Sequence, residues 1–160
     1  MLRLSKLTDY GTVIMTHMAR QPARVFNATE VAGAIGVAVP TASKILKMLA
    51  RQDVLQSLRG AHGGYMLARS PGEISVAEVI DAMEGPLGMT ECSAAVGICA
   101  QEDSCALRAN WQRVNQLIRH TLDNLTLAEM AQPLSLPAEV GGTRVGQRHA
   151  GMARQFTDKD

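Results

Sequence analysis

Apolar positions recur at near-helical spacing from Lys6 to Arg20, where Leu7, Tyr10, Val13, Ile14 and Met18 mark one side of a predicted helix. The stretch Q-P-A-R breaks it. In N-A-T-E, Asn27 is placed as an N-cap with Glu30 three residues on, a start signal for a short helix that runs to Ile35 and stops at Gly36. Pro40 opens the next helix, where its missing N–H costs nothing. That helix sets Ile45, Leu46 and Leu49 on one face and leaves Lys44, Lys47 and Arg51 elsewhere. Two short helices around a glycine-containing turn, the second basic, predict a helix-turn-helix. The following V-L-Q-S-L-R, G-A-H-G-G and Y-M-L-A-R read as an imperfectly alternating hairpin, and a hairpin in that place reads as a wing. Residues 1–70 are therefore expected to form a winged helix-turn-helix.

Ser75 caps a short amphipathic pattern, V-A-E-V-I-D-A-M-E, and a loop is expected over roughly residues 86–105. The longest helical signal runs from Ala106 to about Asn124. Its apolar residues Leu107, Trp111, Val114, Ile118, Leu122 and Leu125 step by four, three, four, four and three, close to a heptad seam. A helix of ~19 residues is ~28 Å long, enough for the spine of a dimer. An intramolecular core helix fits the periodicity as well, and the small N-terminal domain tilts the reading toward dimerisation. T-L-A-E opens a last short helix at Thr126, and after Pro133 the tail loses periodicity and is expected to be disordered. The fold expected is mainly α, in four parts. These are a DNA-binding domain (1–70), a linker helix with the cysteine loop (71–106), a dimerisation helix with a short terminal helix (107–132) and the tail (133–160).

Composition fits helices: the 160 residues are 46% apolar but only 3% aromatic. No run of eighteen apolar residues occurs and the N-terminus lacks secretory features, so a cytoplasmic protein that does not enter a membrane is expected. The net charge of +1 conceals segregation. Residues 1–70 hold nine Lys/Arg against three acids, while residues 71–106 hold seven acids and no Lys/Arg. The basic half suggests a polyanion partner, although simple solvation of helix faces accounts for many charge runs.

Cys92, Cys99 and Cys105 are the only cysteines in the chain. An odd number within fourteen residues argues against a closed disulfide framework. The readings open to them are an iron–sulfur cluster, a zinc site, a thiol–disulfide switch and plain structural cysteine. The absence of C-x-x-C lowers the zinc reading. No Gly-rich cofactor loop or Ser/His/Asp constellation points to an enzyme, and a redox enzyme or cluster carrier stands as the rival class.

The opening L-S-K-L-T-D-Y-G, the wing R-G-A-H-G-G-Y-M-L-A-R, the cysteine loop and the L-A-E-M ending together resemble the Rrf group of winged-helix transcription regulators, which includes IscR and NsrR. The resemblance covers about residues 1–132. The wing with C-A-L-R-A-N-W-Q-R is most similar to regulators of the SUF iron–sulfur assembly system. It implies a homodimeric repressor whose binding to a partly palindromic double-stranded DNA operator is switched by a cluster. Nitric-oxide sensing and a cluster-free thiol switch are the alternatives. The cluster ligands implied are Cys92, Cys99 and Cys105. Where IscR-like members carry a histidine, this chain has Arg108, and a guanidinium cannot ligate iron. Another mode of the family uses an aspartate of the partner's first helix, which implies Asp9 here. Glu91, Glu102, Asp103 and His17 are outside candidates. Three cysteines and a carboxylate favour 4Fe–4S, with 2Fe–2S as the alternative. At the DNA, Thr41, Ser43 and Lys44 are expected at base edges, Lys47 and Arg51 at phosphates, and Arg59 and His62 at the wing tip. Tyr65 is expected to be a buried strand residue.

Overall fold

A computed structural model describes residues 4–60, 62–94, 97–101 and 103–132. Glu102 and the tail beyond residue 132, expected to be disordered, lie outside the described residues. The chain is mainly helical, with a single two-stranded antiparallel sheet among those residues.

Helix α1 (Lys6–Ala19) starts at Ser5, whose hydroxyl accepts the Thr8 N–H. Helix α2 (Ala28–Ile35) begins as its capping signal predicts, with the Asn27 side chain accepting the Glu30 N–H at 2.8 Å. It ends at Gly36, whose φ of 76° is left-handed and disfavours a side chain. Helix α3 (Val39–Arg51) carries Pro40 in its first turn, and α2 and α3 bend by 114°, within the range of a helix-turn-helix. Ile45, Leu46 and Leu49 are fully buried. Strands β1 (Leu55–Leu58) and β2 (Gly64–Leu67) form the wing, in register from Leu55 opposite Leu67 to Leu58 opposite Gly64. Only the base pair Leu55 and Leu67 is buried, which is why the alternation in the sequence is imperfect: beyond its base the wing has no core to face. Phe26 extends the base by exchanging two 2.8 Å backbone hydrogen bonds with Tyr65.

After a 3-10 turn at Pro71–Glu73 come α4 (Val76–Glu84), α5 (Glu91–Ala94), α6 (Arg108–Asn124) and α7 (Leu127–Met130). Capping boxes start α4 at Ser75 with Glu78 and α7 at Thr126 with Glu129. One buried cluster joins α1, α2, α3 and the wing base to Ile74, Val79, Ala82 and Met83 around α4, and to Leu127 of α7. Among the described residues no single helix is long and apolar enough to cross a membrane.

The end of α4 grips the start of α1. The Glu84 carboxylate accepts the hydroxyl of Thr8 at 2.5 Å and the N–H of Ser5 at 2.7 Å, and Thr8 is completely buried. Segment 86–90 then leads to α5, which lies hard against Gly88. A Cβ on Gly88 would stand 2.2 Å from the Cβ of Ala94 and 2.5 Å from its Cα.

Two expectations follow from these contacts. The Thr8 hydroxyl and the Ser5 N–H hold the Glu84 carboxyl below its ordinary range. Its stabilising effect is therefore complete above the unfolded-state value and is lost as pH falls through the folded one. Urea unfolding of wild type and Glu84→Gln across pH should show a stability gap at neutral pH that closes on acidification; a gap independent of pH contradicts the linkage. Gly88→Ala forces α5 away, at a cost of about 1–3 kcal/mol typical of overpacking. The amides of Ser93 and Ala94, both bonded to the Thr90 carbonyl, should then exchange hydrogen faster while those of α3 do not change.

Candidate nucleic-acid interface and cysteine segment

Burying Ile45, Leu46 and Leu49 leaves the opposite side of α3 to solvent. Pro40, Ser43, Lys44, Lys47, Met48 and Arg51, at alternating steps of three and one, line one shallow surface along it. Lys44, Lys47 and Arg51 are exposed and Ser43 is half-buried. Thr41 is half-buried and does not line this surface, because it lies roughly a quarter-turn off its centre at 3.6 residues per turn. Arg59 follows β1 and His62 stands at the wing tip, both exposed. Tyr65 is half-buried and packed on the core, as expected of a strand residue. A protruding basic helix beside a wing that ends in Arg59 fits a major groove with an adjacent phosphate backbone or minor groove. Arg24, by contrast, is engaged internally, ion-paired with Glu30 and stacked 4.8 Å from the centre of the Phe26 ring.

The three cysteines are all free thiols. The expected loop is partly ordered by local hydrogen bonds: Thr90 accepts the N–H groups of Ser93 and Ala94, which closes the single turn α5. This buries Cys92 to 7% exposure and puts its Sγ 3.3 Å from the Thr90 hydroxyl. Cys99 and Cys105 are half-buried. Among the described residues no three His, Cys, Asp or Glu side chains stand together as a metal-sized group, so the chain by itself does not gather the implied ligands.

Asp9 is exposed on α1 and lines a groove with Thr12, Thr16, His17, Arg20 and Met130, a surface to which no cysteine contributes. His17 packs edge-on against Phe26 at 5.6 Å, a structural role. Glu91 and Asp103 are exposed, and Arg108 is half-buried in the first turn of α6.

Sequence reasoning missed the residues that hold this segment. Asn115 of α6 donates to the carbonyls of Leu87 at 3.1 Å and Ser93 at 3.2 Å, and accepts the Met89 N–H at 3.3 Å. One turn on, Arg119 pairs with Asp81 of α4 at 2.6 Å, and the other oxygen of Asp81 accepts the Leu87 N–H at 3.3 Å. A signal was present: Asn115 interrupts the apolar side of α6, four residues after Trp111 and three before Ile118. No residue of α6 is buried: Trp111, Val114 and Leu117 are 38%, 39% and 63% exposed, and Leu107 at its N-cap 57%.

Comparison with known proteins agrees with this architecture. A family model described as Rrf2, iron-dependent transcriptional regulator, matches residues 4–133. Protein aau3 of Rhizobium meliloti is 30% identical over 82% of this chain and 86% of its own length. The HTH-type transcriptional regulator IscR of Klebsiella pneumoniae is 30% identical over 59% of this chain and 58% of its own. Among solved structures, CymR, the global cysteine regulator of B. subtilis, superposes with a TM-score of 0.64 at 26% identity, covering 82% of this chain and 97% of CymR. IscR of T. potens does so with a TM-score of 0.61 at 28% identity, over 81% and 85%. With a winged helix-turn-helix and a family match over most of its length, the chain belongs to the Rrf2 family of transcriptional regulators.

Proposed function

We propose that this protein is a homodimeric repressor of SUF iron–sulfur assembly genes, switched by an iron–sulfur cluster held on its cysteine segment. The observation that carries the reading is the confinement of all three free thiols to residues 92–105. Iron–sulfur clusters take mainly thiolate ligands, with other donors completing the set. Cys92, Cys99 and Cys105 are the proposed thiolates and Asp9 of a second copy the fourth donor, since Asp9 lines a surface apart from the cysteines of its own chain. Three thiolates and one carboxylate suit 4Fe–4S. A bound cluster supplies sensitivity to redox state and to cluster supply. The exposed apolar residues Trp111 and Val114 of α6, with Leu107 at its N-cap, are the proposed dimer contact. Each protomer then presents Ser43, Lys44, Lys47, Arg51 and Arg59 to one half of a partly palindromic operator.

A cluster-free thiol switch is the second reading. It is favoured by the free, half-buried thiols of Cys99 and Cys105 and by the likeness to CymR, a regulator named for cysteine. Anaerobic purification with iron and sulfide assays separates the two. The cluster reading expects iron and acid-labile sulfide together with charge-transfer absorption; protein that stays iron- and sulfide-free after reconstitution supports the switch. Footprints on SUF promoters and on nitric-oxide detoxification promoters test which genes are bound.

Serine at Cys92, Cys99 or Cys105 should each abolish cluster assembly and leave the protein folded; a variant with wild-type iron removes that cysteine from the set. Asp9→Ala should leave a cluster that is more labile to oxygen or nitric oxide, or of altered type. A native spectrum with lower thermal stability in the cluster-free protein would instead make Asp9 structural.

Lys44→Ala and Arg59→Ala should weaken operator binding. Each lost phosphate contact should reduce the slope of log affinity against log salt by about one unit. Unchanged affinity in both variants, measured by fluorescence anisotropy, contradicts the assigned face.

A further inference from the structure

We infer that Asn115 is a positioning residue for the cysteine segment, setting the burial of Cys92 and tying it to α6. One side chain supplies three hydrogen bonds, and all three reach the short stretch that carries Cys92. Its amide N–H groups bridge Leu87 and Ser93, on either side of the turn into α5, and its carbonyl takes the N–H of Met89. The directions of these bonds fix the orientation of the amide, since two partners are carbonyls and the third an N–H. Leu87 is held from both sides, its carbonyl by Asn115 and its N–H by Asp81, which Arg119 in turn anchors.

Local hydrogen bonds between Thr90 and residues 92–94 close the turn, but they do not fix it to the rest of the protein. α5 is one turn long, too short to be stable alone. Cys92 is nevertheless buried, and the contacts of α5 are with α6. The thiol is therefore shielded by a segment with two tertiary polar anchors, Asp81 at Leu87 and Asn115 at Leu87, Met89 and Ser93, and only Asn115 reaches the turn that carries Cys92. Any partner of Cys92, whether metal or oxidant, must engage it in the clamped arrangement or break the clamp, and either way the event is felt by α6.

This inference rests on the reading of residues 92–105 as the sensor, but its test needs neither a cluster nor DNA. The full-length protein, metal-free and reduced, is treated with N-ethylmaleimide, and the alkylation rate of each cysteine is read by peptide mass spectrometry, with thermal melting alongside. In Asn115→Ala, Cys92 should react about tenfold faster, the change expected from losing one or two net hydrogen bonds of local stability. Cys99 and Cys105 should keep their wild-type rates. Asn115→Asp, isosteric but unable to donate to Leu87 and Ser93, should behave like the alanine variant. An unchanged Cys92 rate in Asn115→Ala overturns the inference. So does a parallel rise at all three cysteines with a collapsed melting temperature, which marks a general structural residue. A protein that never takes up iron, yet shows the selective rise at Cys92, overturns the cluster reading and leaves the clamp standing.

Discussion

Burial of the short helix α4 is the constraint on which the remaining architecture depends. Six of its nine residues, Val76, Ala77, Val79, Ile80, Ala82 and Met83, are buried, too many for one apolar stripe against one neighbour. The helix must be covered from several sides, and it packs on α1, α3 and α6. Its three carboxylates, three residues apart, then serve three different elements. Glu78 holds Arg69 just after the wing, Asp81 holds Arg119 of α6, and Glu84 holds the first turn of α1. The apolar burial fixes where α4 lies; the carboxylates fix the angle at which each neighbour meets it.

That role changes the meaning of the acidic stretch. The seven acids in residues 71–106 fit simple solvation of helix faces when the sequence is taken alone. Four of them are internal fasteners instead: Glu73 accepts from Ser70, and Glu78, Asp81 and Glu84 bond as above. Hydrogen bonds hold Glu73, Glu78 and Glu84 below the ordinary carboxylate range, for Glu78 in spite of the opposing effect of burial. The basic half divides in the same way. Arg24 and Arg69 are tied to Glu30 and Glu78, whereas Lys44, Lys47 and Arg51 lie on one exposed face of α3. Net charge by segment singled out the N-terminal half of the chain, and only the packing separates its fasteners from an exposed basic face.

What was legible in the sequence was local. Asn27, Gly36, Pro40, Ser75 and Thr126 each act within four residues of themselves, so their chemistry announces a helix boundary without tertiary information. The fully buried face of α3 was equally plain from the spacing of Ile45, Leu46 and Leu49. The cysteine segment was legible as a cluster of thiols and illegible as a structure. Its long-range hydrogen bonds come from Asn115, 26 residues from Met89 and 28 from Leu87, and the grip on α1 spans 79 residues between Ser5 and Glu84. Contacts at such separations leave only indirect traces, such as an asparagine on an apolar helix face. Gly88 leaves less still, since its requirement arises from the approach of Ala94 and not from its own backbone.

These long-range contacts form a continuous route from the Cys92 thiol to the basic helix α3. Cys92 sits in α5, α5 and its approach are held by Asn115 and Asp81, and Asp81 lies one turn from Glu84, whose partners Ser5 and Thr8 start α1. Helix α1 in turn packs on α3. Close-packed interfaces of this kind switch between arrangements instead of deforming smoothly. A displacement of the segment that costs the Leu87 bond to Asp81 therefore weakens a fixed point on α4 without touching the core of the helix-turn-helix. The apolar cluster around α3 and the polar fasteners that α4 extends to α1 and α6 are thus distinct sets of contacts, and a change in one need not disturb the other.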